Sequence, residues 1–280
     1  MELVAIAVVA LLVLGYGLVS RRLESTIVTG PMVFALAGIA LGPVGLDLIG
    51  ENLDEGALRF LAEATLVLVL FTDAIRIDLR RLGEQAALPG RLLGIGLPLT
   101  VAPGTAAAWL LLDGIDLWDA ALIAAILSPT DAALGLAVVE SPRVPLRVRQ
   151  AINVESGLND GLMLPAITIL LAFAAAEAGM ADPPGAGFVA SQVGFGVLVG
   201  GGLGWAGGRL LDRAATRGWV DGISRQLTTL AVGVGAYALA EVVGGNGFVA
   251  AFVAGVAFGH AARDHCDGAY EFAVDEGRLL

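Results

Sequence analysis

The chain has 280 residues, of which 57% are hydrophobic and 15% are charged, and its formal net charge is −11. This composition, with a mean hydropathy of +0.82, leaves too little polar surface for a water-soluble domain of this length. The negative charge argues against a nucleic-acid partner, which would need a basic surface, and a single cysteine, Cys266, excludes an internal disulfide framework.

Long apolar runs divide the chain from end to end. Each run has about the length that an α-helix needs to cross the hydrocarbon core of a bilayer. The predicted spans are 3–20, 26–44, 57–75, 92–112, 117–139, 149–176, 187–211, 226–243 and 247–262. We therefore predict an all-α polytopic membrane protein in which residues 1–280 form one transmembrane domain.

The charged residues of the connecting loops alternate in sign. All sixteen basic residues are arginines. Most of them lie at the end of, or just after, spans one, three, five, seven and nine, whereas the loops after spans two, four and six are acidic. Because cytoplasmic loops are enriched in arginine and lysine, we predict a multi-pass protein of the cell membrane with its N-terminus outside and Arg263 inside.

A short motif occurs twice in opposite orientations. Residues 37–42 (AGIALG, span two) are similar to residues 254–259 (AGVAFG, span nine), and the arginine distribution makes these two spans antiparallel. This opposition indicates an inverted repeat, with chance similarity between two Gly/Ala-rich helices as the alternative. In an inverted repeat, the counterpart of Asp131 would lie beyond residue 280, so we expect a chain truncated within its second repeat.

Span five contains the polar sequence Ser128-Pro129-Thr130-Asp131. Proline cannot donate the helical hydrogen bond, so we expect the helix to kink or unwind here. A charged side chain at the centre of a membrane helix costs about 2.5–3.5 kcal/mol and is usually there for function. The alternative is that Thr130 and Asp131 only cap the second half of a broken helix.

Span six contains a denser set of polar residues. Asn153, Ser156 and Asp160 share one helix face, Asn159 lies beside that face, and Glu155 lies one turn before Asn159. Alkali cations prefer oxygen ligands, and a carboxylate in such a setting can hold either a proton or a cation. The alternative is a structural polar network that joins neighbouring helices.

Span seven contains glycine at every fourth position, namely Gly196, Gly200, Gly204 and Gly208. This stripe predicts close contact with another helix. The string 202–207 also fits a dinucleotide-binding pattern, but no strand precedes it, so we favour helix packing.

The polar sequences of spans five and six resemble a known pair of signatures. Residues 128–140 (SPTDAALGLAVVE) and 155–161 (ESGLNDG) are similar to those of the first monovalent cation/proton antiporter family, the sodium/proton exchangers, and especially its prokaryotic NhaP-type members. The resemblance extends from about residue 26 to the end of the chain. It implies an NhaA-like inverted-repeat antiporter fold, truncated within the second repeat because family members have further spans.

The resemblance assigns roles to five polar residues. Asp160 would be the essential ion- and proton-binding carboxylate, with Asn159 preceding it. Thr130 and Asp131 would form the unwound crossing in span five, and Ser156 would contribute a side-chain ligand.

Three further points follow from the resemblance. Glu155 would form a structural ion pair with an arginine on a later helix, for which this chain has no matching residue. Ala132 stands where the family commonly has proline after the aspartate, which leaves the register of the unwinding open. Asp73 resembles an acidic position beside the cytoplasmic funnel, with an ion pair to Arg76 as the alternative.

Together these features predict a secondary antiporter that exchanges protons for monovalent cations, with one aspartate binding either in competition. We expect electroneutral exchange, Na⁺ as the cation, a homodimer, and no cofactor or metal site; K⁺ and Li⁺ stay open because selectivity depends on cavity geometry. An enzyme is not expected, since both histidines lie at or beyond the end of the last span. The alternative function is a channel-like or non-transporting membrane module.

Overall fold

The computed structural model describes residues 2–23, 30–42, 44–46, 55–75, 77, 87–130 and 144–262. Within these ranges the chain is helical and contains no strand. The helices are α1 (Glu2–Leu23), α2 (Gly30–Leu41), α3 (Glu55–Ile75), α4 (Ala87–Arg91), α5 (Leu97–Leu111), α6 (Leu117–Leu127), α7 (Leu146–Glu177), α8 (Ala186–Thr216), α9 (Gly222–Val242) and α10 (Gly247–Ala261). A π-helical turn, Leu92–Gly96, connects α4 to α5.

Each of the predicted spans overlaps a helix. Three segments of the described chain are both long and apolar enough to cross a bilayer, namely Pro89–Leu111, Leu158–Glu177 and Ala186–Thr216. Shorter apolar helices occur at Ala7–Ser20, Met32–Leu41, Leu117–Leu127 and Gly247–Ala261. In span five, α6 ends at Leu127 and residues 128–130 are not helical.

The chain divides into two compact units, with the division between Glu63 and Ala64 inside α3. In the first unit, the rings of Tyr16 and Phe34 join α1 to α2, with their centroids 5.1 Å apart. The second unit contains the C-terminal half of α3 and all later helices, and the candidate polar residues of spans five and six belong to it.

The predicted glycine stripe of α8 packs against α10, as expected. Gly196, Gly200, Gly204 and Gly208 are all buried. A Cβ atom on Gly200 or Gly204 would overlap the carbonyl oxygen of Ala250 or Ala254, respectively. The absence of side chains therefore lets the two helix backbones touch, which is how membrane helices gain packing contacts where no water is present.

The other side of α10 packs in the same way against α3. A Cβ atom on Gly255 or Gly259 would overlap the carbonyl oxygen of Phe71 or Ile75. The ring of Phe71 also lies 5.9 Å from that of Phe258. Helix α10 is thus held between two helices by its small residues.

A buried polar junction attaches α7 to the α8–α10 packing. Asn246 is 4% exposed and caps α10 by accepting a hydrogen bond from the Val249 amide. Its side-chain amide donates to Thr168 Oγ1 of α7 at 2.7 Å, and its backbone amide donates to the Gln192 carbonyl of α8. This junction fixes the C-terminal half of the helix that carries Asp160.

The packing of α8 on α10 makes a stability prediction. We expect Gly204→Ala to lower the free energy of unfolding by about 1–3 kcal/mol, because the new methyl group must displace backbone atoms of Ala254. Gly202→Ala is the matched control: its Cβ would meet no atom within 4 Å, so its stability should be unchanged or slightly raised. Thermal unfolding in detergent compares the two, and equal melting temperatures would show that the contact is unimportant.

Candidate functional site

The helix of span five breaks where its proline predicts. Helix α6 ends at Leu127, and residues 128–130 are not helical. The Ser128 hydroxyl donates to the Ala124 carbonyl at 2.6 Å. This side-chain bond satisfies a carbonyl of the last helical turn, and Pro129, which has no N–H, cannot continue the helix by donating to the Ala125 carbonyl. The predicted break is confirmed for residues 128–130, whereas Asp131 lies outside the described residues.

Three predicted site residues meet beside this break. The Asn159 side-chain amide donates to Thr130 Oγ1 at 2.8 Å and lies 3.5 Å from the Thr130 carbonyl oxygen. The Thr130 hydroxyl in turn donates to Glu155 Oε2 at 3.1 Å. Asn159 also donates to the other Glu155 oxygen, at 3.4 Å. Thr130, Asn159 and Glu155 therefore form a closed triad of hydrogen bonds between the broken segment and α7.

Asn159 is the most deeply buried polar residue of the triad, with 0% of its surface exposed. Its amide N–H groups face only acceptors, which fixes the orientation of the amide. Its carbonyl oxygen, Oδ1, is buried and accepts no hydrogen bond from the described residues. Such an oxygen carries a desolvation cost of about 1–3 kcal/mol until a donor or a cation meets it.

Asp160 follows Asn159 directly on α7 and is half-buried. Ser156 lies on the same helix, one turn earlier, as predicted, and its side chain lies outside the described residues. Asp73 is half-buried on α3, next to the buried Thr72. The structure thus places Asp160 on the helix that carries Asn159 and Glu155, and Asp73 on a different helix.

Glu155 forms hydrogen bonds within the triad, and its ion pair with an arginine on a later helix stays a prediction. Each Glu155 carboxylate oxygen accepts one hydrogen bond within the triad. Its partners in the described chain are therefore Thr130, in the broken segment, and Asn159, which also bonds to Thr130.

Two features beside Asp160 were missed by the sequence analysis. The ring of Phe252 from α10 lies directly over Gly161, where a Cβ atom would overlap it. Pro165 lies inside α7, so the helical hydrogen bond to the Gly161 carbonyl cannot form. The spacing of Gly161 and Pro165 could have predicted the unpaired helical carbonyl, whereas the Phe252 contact depends on tertiary packing.

Comparison with protein families gives one match over most of the chain. The family model described as "Sodium/hydrogen exchanger, transmembrane" matches residues 7–267. Among curated proteins, the chain is 28% identical to a K(+)/H(+) antiporter NhaP of Alkalimonas amylolytica and 32% identical to a Na(+)/H(+) antiporter NhaS2 of Synechocystis. Both alignments cover 93% of this chain, but they cover only 44% and 45% of those relatives. The chain therefore spans less than half the length of either relative.

Among solved structures, the chain is similar to the sodium proton antiporter MjNhaP1 from Methanocaldococcus jannaschii. The TM-score is 0.76 at 21% sequence identity, and the match covers 100% of this chain and 68% of the other. This similarity confirms the predicted all-α antiporter fold.

The triad makes a prediction about stability. We expect Thr130→Val to lower the free energy of unfolding by about 1–2 kcal/mol, because it leaves the buried Asn159 amide without its shortest acceptor. Thr130→Ser keeps the hydroxyl and should unfold close to the unmodified protein. Thr105→Val is the control, since the Thr105 hydroxyl bonds only a carbonyl of its own helix. Thermal unfolding in detergent tests this, and a Thr130→Val protein as stable as the control would contradict it.

Proposed function

Because the chain belongs to the sodium/hydrogen exchanger family, a family of secondary transporters and not of enzymes, we propose that the protein exchanges protons for monovalent cations across the cell membrane. We propose Na⁺ as the transported cation. The two relatives described above are a K⁺ and a Na⁺ antiporter by name, so K⁺ is its direct competitor.

The observation that carries this proposal is the buried carbonyl oxygen of Asn159 next to Asp160. The triad uses every N–H of the Asn159 amide, and it leaves Oδ1 without a hydrogen-bond donor among the described residues. A buried oxygen that accepts no hydrogen bond suits a hard cation, which takes oxygen ligands, and the next residue of the helix is the carboxylate-bearing Asp160. Two half-buried carboxylates within six residues on a membrane helix also fit an ion path better than a purely structural network.

In the proposed cycle, Asp160 binds either a proton or a cation, but not both at once. Thr130 and Ser156 would supply further oxygens, and Asp131 would complete the unwound crossing. Each substrate would shift the protein between inward-open and outward-open states, so that a gradient of one drives movement of the other. Glu155 would keep the broken segment in place while the cargo changes.

Further parts of the proposal rest on the sequence. With asparagine at position 159 and one principal exchanging carboxylate, exchange is electroneutral. Asp73 belongs to the pathway on the arginine-rich side of the membrane, the N-terminus is outside, and the protein is a homodimer.

The proposal predicts that Asp160→Asn abolishes exchange. The protein, expressed from its complete reading frame, is reconstituted in liposomes that contain a pH-sensitive dye, and Na⁺ or K⁺ is then added outside. We expect proton movement on cation addition with the unmodified protein, and the level of empty liposomes with Asp160→Asn, since the amide can neither ionise nor take up the exchanged proton.

Asp116→Asn is the matched control, because Asp116 is an exposed aspartate at the start of α6 whose side chain makes no capping hydrogen bond. It should exchange at the unmodified rate. Full activity of Asp160→Asn would overturn the proposal, and cation flux without proton movement would favour the channel-like alternative.

Electroneutrality makes a separate prediction. An imposed membrane potential should leave the exchange rate unchanged, because no net charge crosses the membrane in a cycle. A cycle that moved one net charge would instead gain or lose about 2.3 kcal/mol per 100 mV. A clear acceleration or inhibition by the potential in the same liposomes would refute one-for-one exchange.

A further inference from the structure

The C-terminal third of α8 carries a basic and aromatic face. On α8, Trp205, Arg209 and Arg213 lie at intervals of four residues, and Arg217 follows at the same interval just after the helix ends. These four residues therefore lie on one side of this end of the helix. All four side chains are exposed, with Trp205 at 55%. Trp219, just beyond the helix, is 72% exposed. We call these five residues the arginine face.

The length of α8 places the arginine face at the edge of the bilayer. Residues 186–208 contain no charge and extend about 35 Å at ~1.5 Å per residue, which is enough to cross a hydrocarbon core of about 30 Å. The remaining turns, which contain Arg209 and Arg213, must then project into the headgroup layer. Trp205 lies at the boundary, where tryptophan is enriched in membrane proteins.

A tight turn ends α8 and precedes Trp219. Gly218 has φ +68°, and the Trp219 amide donates to the Ala214 carbonyl at 2.9 Å, which closes the end of the helix. The Arg217 guanidinium lies 4.9 Å from the centre of the Trp219 ring, and the Arg209 guanidinium lies 5.9 Å from that of Trp205. These cation–π contacts orient two of the arginines without consuming their charge.

The charge of this region is opposite to that of the chain as a whole. Residues 205–225 contain four arginines and two aspartates, in a protein of formal net charge −11. One of these aspartates, Asp221, caps α9, where hydrogen bonds from Ser224 lower the pKa of its carboxyl group. The nearby Arg225 has a buried Nε–H group that meets no acceptor among the described residues.

We propose that the arginine face binds the phosphate groups of anionic phospholipids in the leaflet that it borders. Guanidinium groups pair with phosphate through two parallel hydrogen bonds, and exposed indole rings insert at the level of the glycerol backbone. A lipid bound here would fasten α8, the helix that packs on α10 through its glycines, at a fixed depth. This inference depends on the membrane location of α8 and not on the exchange of ions.

Native mass spectrometry of the purified protein in detergent tests the proposal. The probes are phosphatidylglycerol, which is anionic, and phosphatidylcholine, which is zwitterionic. An arginine near an anionic membrane contributes about a fivefold gain in affinity, so the double variant Arg213→Gln/Arg217→Gln should bind phosphatidylglycerol roughly 25-fold more weakly. Binding of phosphatidylcholine should not change.

The matched control is Arg22→Gln/Arg91→Gln. It removes the same charge from two exposed arginines that are predicted to lie on the same side of the membrane as the arginine face. It should bind phosphatidylglycerol as the unmodified protein does. Arg213→Lys/Arg217→Lys keeps the charge and should retain most of the binding. Equal loss in both Gln variants would overturn the proposal, because binding would then follow net charge alone.

Two measurements on the unmodified protein keep the proposal testable if a variant fails to fold. Binding of phosphatidylglycerol should weaken as NaCl is raised, because salt screens exposed charges. Millimolar inorganic phosphate should not displace the lipid, since free phosphate lacks the apolar contact with Trp205 and Trp219. Salt-independent binding, or full displacement by phosphate, would contradict a lipid site.

Discussion

The hydrogen bond from Asn159 to Thr130 is the interaction on which the site depends. A chain that stops being helical inside a bilayer must have its polar groups satisfied by protein, because no water is available there. Ser128 satisfies one carbonyl of the broken helix, and Asn159 and Glu155 secure the threonine that follows the proline. Without these bonds, the break at Pro129 would be a defect in a membrane helix instead of a rigid polar feature.

The same triad connects stability to chemistry. Its N–H and O–H groups are occupied within the triad, and the carbonyl oxygen of Asn159, the residue before Asp160, accepts no hydrogen bond from the described residues. A polar network that only joined helices would be expected to pair its buried groups with one another. The unmatched oxygen of Asn159 is therefore the feature that distinguishes an ion-binding arrangement from a structural one.

Close backbone packing among neighbouring helices supports the helix that carries Asn159 and Asp160. Helix α10 lies against α8 and α3 through glycine and alanine, and it presents the Phe252 ring to Gly161, the residue after Asp160. The Asn246–Thr168 bond joins α7 to α10 two turns further along. The helix that carries Asp160 is thus held at two points by helices that are themselves closely packed.

Local features of the site were predictable from the sequence, and contacts between helices were not. Pro129 within the polar sequence of span five predicts a kinked or unwound helix there, and glycine at every fourth position of α8 predicts a close helix contact; both predictions are confirmed for the described residues. The partner of Asn159 could not be predicted, because it depends on how α7 is rotated relative to the end of α6. For the same reason, the sequence gave no sign of the hydrogen bonds that Glu155 accepts from Thr130 and Asn159.

The central claim is that protons and cations compete for Asp160. It is tested most directly by adding Na⁺ or K⁺ to the purified protein in weakly buffered detergent solution, while a pH electrode records proton release and calorimetry records cation binding. The account predicts a proton released for each cation bound, with neither event in Asp160→Asn. Cation binding without proton release would contradict it.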